Sequence, residues 1–86
     1  MGFSFGPKAT AFLDKMQPGK LRAQIAKKAK TLQANPYPQG CKKLTDIMVG
    51  TDAIWRIRVG DYRILYIVRT MEIIVLDIGH RKDIYR

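Results

Sequence analysis

The stretch Ile54-Trp55-Arg56-Ile57-Arg58-Val59-Gly60-Asp61-Tyr62-Arg63-Ile64-Leu65-Tyr66 constrains this chain more than any other. Two β-branched and aromatic runs flank Gly60-Asp61, which reads as a two-residue hairpin turn with glycine at its first position. Such a turn fixes the register. Val59 opposes Tyr62, Arg58 opposes Arg63, Ile57 opposes Ile64, and Trp55 opposes Tyr66. Side chains alternate along a strand, so Trp55, Ile57, Val59, Tyr62, Ile64 and Tyr66 share one apolar face. Arg56, Arg58 and Arg63 gather on the other. Like charges directly opposed on a sheet are destabilising. Such a cluster persists where it lies open to water or where an anion binds it. One arginine alone is most simply a solvated side chain whose stem covers apolar surface. Three converging arginines, in a chain of net charge +9, point to an anion site.

The 86 residues suffice for one small domain, residues 1–86, and 47% of them are apolar, enough to expect a folded core. Sixteen basic against seven acidic residues point to polyanionic partners: nucleic acid, ribosome or an acidic protein. The single cysteine, Cys41, excludes an internal disulfide and fits a reducing cytoplasm. One His and one Cys far apart do not make a zinc site, and neither metal nor cofactor is expected. The chain has no apolar stretch of membrane-spanning length and no signal-peptide pattern, so no membrane association is expected.

Gly2 to Phe5 reads as a short edge strand. Gly6-Pro7 suits a helix start, with proline at the first helical position. Ala9, Phe12, Leu13 and Met16 follow at helical spacing, and Gln17-Pro18-Gly19 ends that helix. A second helix is predicted over residues 20–34, with Leu21, Ile25, Ala29 and Leu32 as its apolar stripe. Its lysines, Lys20, Lys27, Lys28 and Lys30, read as a solvated face. Residues 35–40 form a loop, because two prolines and a glycine exclude regular structure. Residues 41–53 read as irregular or weakly helical, with Lys42-Lys43-Leu44 as a basic connector.

Three strands follow, at 54–59, 62–69 and 72–78. A second turn at Thr70-Met71 pairs Ile67 with Ile74 and Leu65 with Leu76. The run Ile73-Ile74-Val75-Leu76 is apolar on both faces, as in a central covered strand. Asp77 then falls beside Ile64, which requires either a basic partner or a shifted register. Simple alternation places His80 toward the arginines, unless the strand ends or bulges first. Helices followed by an antiparallel meander indicate an α+β domain with a helical hairpin packed on one sheet face.

The hairpin from Trp55 to Tyr66, preceded by Lys43-Leu44 and followed by Ile78-Gly79-His80-Arg81 and Ile84-Tyr85, resembles the RelE/ParE superfamily of bacterial and archaeal toxins. Together these motifs are specific, and the likeness spans nearly the whole chain. It implies a microbial-ribonuclease-like fold, two helices on a four-stranded antiparallel sheet. Its RelE branch consists of toxins of type II toxin–antitoxin systems, endoribonucleases that cut mRNA in the ribosomal A site and arrest translation. It implies a cognate antitoxin as partner, with the toxin–antitoxin complex binding operator DNA. The ParE branch shares the fold but poisons DNA gyrase, and usually lacks the basic catalytic set.

Residue by residue, the resemblance assigns catalysis to Arg58, Arg63, Arg81 and Tyr85, and RNA binding to Arg56 with Lys42 and Lys43. Well-known relatives carry lysine at the positions of Arg56 and Arg58. Arginine does not give up its proton, so Arg58 suits charge stabilisation rather than a base role. That leaves His80 as a candidate acid or base, or else as a strand-end histidine with no chemical part. The expected function is a ribosome-dependent endoribonuclease, favoured over a gyrase inhibitor by the presence of Arg63, Arg81 and Tyr85; an RNA- or ribosome-binding relative with weak catalysis is the further alternative.

Overall fold

The computed structural model describes residues 1–84. Seven elements follow one another: β1 (Gly2–Phe5), α1 (Pro7–Lys15), α2 (Lys20–Thr31), β2 (Lys42–Val49), β3 (Asp52–Val59), β4 (Tyr62–Arg69) and β5 (Glu72–His80). The strands make one sheet in the order β1-β5-β4-β3-β2. The architecture is α+β as expected, but the sheet is mixed and has five strands rather than four antiparallel ones. The expected edge strand Gly2–Phe5 is present and pairs parallel to β5, which makes the sheet mixed. Residues 42–49, expected to be irregular, form β2 and make a hairpin with β3 around Gly50, whose φ of 60° lies in the left-handed region.

The β3–β4 register is the one the turn dictates, from Trp55 opposite Tyr66 to Val59 opposite Tyr62. Gly60 takes φ 57° there, a conformation glycine adopts without steric cost. Between β4 and β5, Ile67 opposes Ile74 as expected, but Leu65 faces Asp77 instead of Leu76. Leu76 is the extra residue of a β-bulge, and beyond it every side chain of β5 changes face. The bulge resolves the awkward position of Asp77: the register shifts, and Asp77 Oδ1 accepts a hydrogen bond from the Ile78 N–H at 2.9 Å.

Both helices lie on one sheet face, α1 over β5 and α2 over β3. The main core joins Ala9 and Leu13 of α1 and Ile25, Ala29 and Leu32 near α2 to Ile57, Ile64, Tyr66, Ile73, Val75 and Ile78 of the sheet. Each fully buried isoleucine contributes about 1.5–3 kcal/mol. Leu21, expected in the stripe of α2, is exposed. A smaller cluster, Ile54, Leu65 and Ile67 with Leu44, Ile74, Leu76 and Ile84, covers part of the opposite face. The chain leaves the sheet at Gly6, whose N–H donates to Val75 O at 2.7 Å. A Cβ at Gly6 would stand 3.2 Å from that oxygen, so the close approach favours glycine.

Candidate nucleic-acid interface

Trp55, Ile57 and Val59 turn toward the helices, so alternation turns Arg56 and Arg58 to the opposite, outer face. Cross-strand pairing adds their neighbours. Lys42 stands opposite Arg56, and Arg58 stands opposite Arg63. Directly opposed residues share a face, so the outer face carries two like-charge pairs side by side. This arrangement resists folding slightly and attracts anions strongly.

The two members of the second pair differ. Arg63 Nη1 donates to the carbonyls of Gly60 and Tyr62, both at 3.0 Å, which ties its guanidinium to the β3–β4 turn. Arg58 is exposed and makes no ion pair among the described residues. Arg56 is half-buried, and its Nε is enclosed with no hydrogen-bond partner. A buried unsatisfied donor costs about 1–3 kcal/mol, so the enclosed Nε of Arg56 weighs against the stability of the fold.

Arg81 reaches the same turn from β5. Its N–H donates to Asp61 O at 2.7 Å, and its Nε lies 3.6 Å from Asp61 Oδ1. That ion pair is weak, because the two side chains are 54% and 69% exposed. It leaves Arg81 available to a stronger anion. Arg58, Arg63 and Arg81 thus meet around Gly60-Asp61.

Two expected members of the site lie elsewhere. The bulge at Leu76 puts His80 opposite Tyr62 on the helix-covered face, so His80 does not join the arginines. Its ring meets Tyr62 edge-on with centroids 5.5 Å apart. Nδ1 accepts from the Lys82 N–H at 3.2 Å, and its carbonyl accepts from Asp83 and Ile84. His80 borders a cleft of about 610 Å³ with Phe12, Lys15, Met16 and Tyr62. Its visible task is to close the turn that carries Arg81. Lys43 stands opposite Trp55, hence on the other face from Lys42. Tyr85 lies outside the described residues.

The loop at 35–40 is anchored by a group that periodicity did not single out for a role. Tyr66 is fully buried, and its Oη donates to Pro36 O at 2.7 Å. Burial pushes the phenol well above its usual range, with Cys41 and Tyr37 adding to the effect. Tyr37 packs edge-on against Trp55 at 4.9 Å. Among the described residues, no three His, Cys, Asp or Glu side chains gather to hold a metal, and no helix is long and apolar enough to cross a membrane.

Guanidinium groups bind phosphate bidentately and keep their charge at any physiological pH. The outer face therefore presents groups whose chemistry suits phosphate. The small α+β fold that carries this face is shared with known toxins. A family model described as the ParE toxin of the type II toxin–antitoxin system, parDE, matches residues 3–85. The chain belongs to this family, within the RelE/ParE superfamily, and is a toxin of a type II toxin–antitoxin system.

Solved structures agree. The archaeal RelE–RelB complex from Pyrococcus horikoshii OT3 superposes with a TM-score of 0.75 at 22% identity, covering 95% of this chain and 96% of the other. The toxin–antitoxin complex RelBE2 from Mycobacterium tuberculosis gives 0.74 at 25% identity, over 93% and 96%. The RelB–RelE complex from Methanococcus jannaschii gives 0.69 at 28% identity, over 94% and 93%. A search of curated protein sequences finds no match.

Proposed function

We propose that this toxin is an endoribonuclease that cuts mRNA in the ribosomal A site and so stops translation. The observation that carries the reading is the meeting of Arg58, Arg63 and Arg81 around the β3–β4 turn, beside the Lys42–Arg56 pair. Internal cleavage of RNA requires the 2′ oxygen to attack the adjacent phosphorus in line. The P–O5′ bond breaks, and a 2′,3′-cyclic phosphate and a free 5′-hydroxyl remain. The 2′ proton leaves to solvent and the 5′ oxygen takes one up. Negative charge grows on the nonbridging oxygens, and cations already fixed around them lower the barrier. Arg63 is fixed by its two carbonyl contacts, and the Arg81 N–H bond to Asp61 O anchors the backbone from which the Arg81 guanidinium extends. Arg58 and Tyr85 complete the proposed catalytic set, while Lys42 and Arg56 hold the flanking backbone. The ribosome, by holding the mRNA, would supply much of the positioning.

His80 takes no part in this scheme, because it faces the helices. The partners that follow are the ribosome and mRNA in the cytoplasm, and a cognate antitoxin. Pairing with RelB in the structural relatives supports the antitoxin. A segment that is acidic or amphipathic would cover the cationic face, and the resulting complex would bind operator DNA.

A second reading is a ParE-type gyrase inhibitor, and the family model that matches the chain favours it. The two separate in an in-vitro translation reaction with purified toxin followed by mapping of new mRNA 5′ ends. Cuts within codons at the A site establish the nuclease. Intact mRNA together with inhibited supercoiling by gyrase establishes the alternative.

A further inference from the structure

We infer a second phosphate-binding subsite in the cavity between α2 and the open edge of β3, formed by Lys28 and Arg58. It rests on the reading of the outer face as an RNA site and extends that site around the edge of the sheet.

The subsite arises from where β2 begins. β2 pairs with β3 from Lys42 opposite Arg56 toward the tip of their hairpin. No strand of the described residues therefore covers the edge of β3 at Ile57, Arg58 and Val59. A cavity of about 300 Å³ occupies this gap, lined by Lys28, Gln39, Gly40, Ile57 and Arg58. Its charged groups are both cations. Neither Lys28 nor Arg58 forms an ion pair among the described residues.

The opposite wall is the loop at 35–40, and it is held firmly. Tyr66 Oη fastens Pro36, Tyr37 packs on Trp55, and the Cys41 N–H donates to Pro38 O at 3.0 Å. Gly40 takes φ 89°, and the place its Cβ would occupy is empty. Bare backbone therefore faces the cavity, which allows a ligand to approach closely. Lysines near a helix C-terminus also offset the helix dipole, which accounts for Lys28 on α2 but not for a cation-lined cavity beside it.

Arg58 belongs to both places. It opposes Arg63 on β4 and lines the cavity with Lys28. An RNA strand held by phosphate at Arg63 and Arg58 would pass over the open edge and place a neighbouring phosphate against Lys28. The ligand class is the phosphodiester backbone, read without regard to base sequence.

The test is binding of a short, unstructured, fluorescently labelled single-stranded RNA to the purified chain by anisotropy, across a salt series. Lys28→Gln, Lys20→Gln and Arg56→Gln are compared with wild type, and thermal melts check that each is folded. Lys20, at the other end of α2, controls for lost charge alone. The expected result is that Lys28→Gln weakens binding and lowers the slope of log K against log salt by about 0.7, one phosphate contact on a single strand. Lys20→Gln leaves the slope within error. Equal small losses for Lys28→Gln and Lys20→Gln would reveal only diffuse attraction and overturn the subsite. A loss for Arg56→Gln with none for Lys28→Gln would overturn it while leaving the outer-face site standing. No loss for any variant would overturn both. Stronger loss of an acidic peptide than of RNA in Lys28→Gln would assign the cavity to a protein partner and overturn the RNA assignment.

Discussion

The two faces of the sheet follow opposite rules. The helix-covered face carries Ile57, Ile64, Tyr66, Ile73, Val75 and Ile78, all buried in one apolar cluster. The outer face sets Lys42 against Arg56 and Arg58 against Arg63. The outer face even keeps an enclosed Arg56 Nε with no partner. One face lowers the free energy of the fold, and the other gives up some of that stability to gather like charges, which the proposed function assigns to RNA. Alternation along the strands lets the same eight residues of β3 serve both. The division predicts that substitutions on the inner face act through stability and those on the outer face through binding.

The largest effect is expected at Ile73, which is fully buried. Ile73→Ala should cost about 2–5 kcal/mol, seen as a lower denaturation midpoint, with activity falling only in step with the folded fraction. A large activity loss in a fully folded Ile73→Ala protein would break the division.

A smaller effect belongs to Tyr66. Tyr66→Phe removes the bond to Pro36 O and should cost about 0.5–1.5 kcal/mol. It should also change the alkaline limit. Folding raises the pKa of Tyr66, so the stability it confers is complete below the unfolded value of about 10 and declines as pH rises above it. Urea melts from pH 8 to 11 should show this decline in wild type and a flatter profile in Tyr66→Phe.

The smallest stability change is expected at Arg56. Arg56→Met keeps the apolar stem and removes the unsatisfied donor, so stability should hold or rise by up to about 1 kcal/mol. RNA affinity should fall in the same protein. Lower stability with unchanged RNA binding would reverse the roles assigned to the two faces.

The same contrast explains what could be read from the sequence. The β3–β4 register was legible because Gly60-Asp61 pins it and the apolar residues alternate on either side. β2 was not, because seven of its eight residues are exposed and only Leu44 is half-buried, which erases the period of two that burial imposes. The bulge at Leu76 sits at the end of Ile73-Ile74-Val75-Leu76, an unbroken apolar run with nothing to mark which residue faces in. The face of His80 was therefore hidden, and with it the division between the arginine set and the histidine. Arg81 was legible as a motif residue, but its place beside Asp61 depends on the same bulge. Lys28 looked like any solvated helix lysine, because only the late start of β2, at Lys42 opposite Arg56, leaves the cavity beside it open.

One experiment tests the division of the site most directly. Wild-type toxin, Arg81→Ala and His80→Asn are added in parallel to an in-vitro translation reaction, and new mRNA 5′ ends are mapped. Asparagine offers the Lys82 N–H an acceptor in place of Nδ1, so the turn carrying Arg81 should persist. The account predicts cuts at A-site codons with wild type and with His80→Asn, and a loss of about 10²–10³-fold in rate with Arg81→Ala. Undiminished cutting by Arg81→Ala, with cutting abolished in a folded His80→Asn, would contradict it and move the chemistry to the helix-covered face.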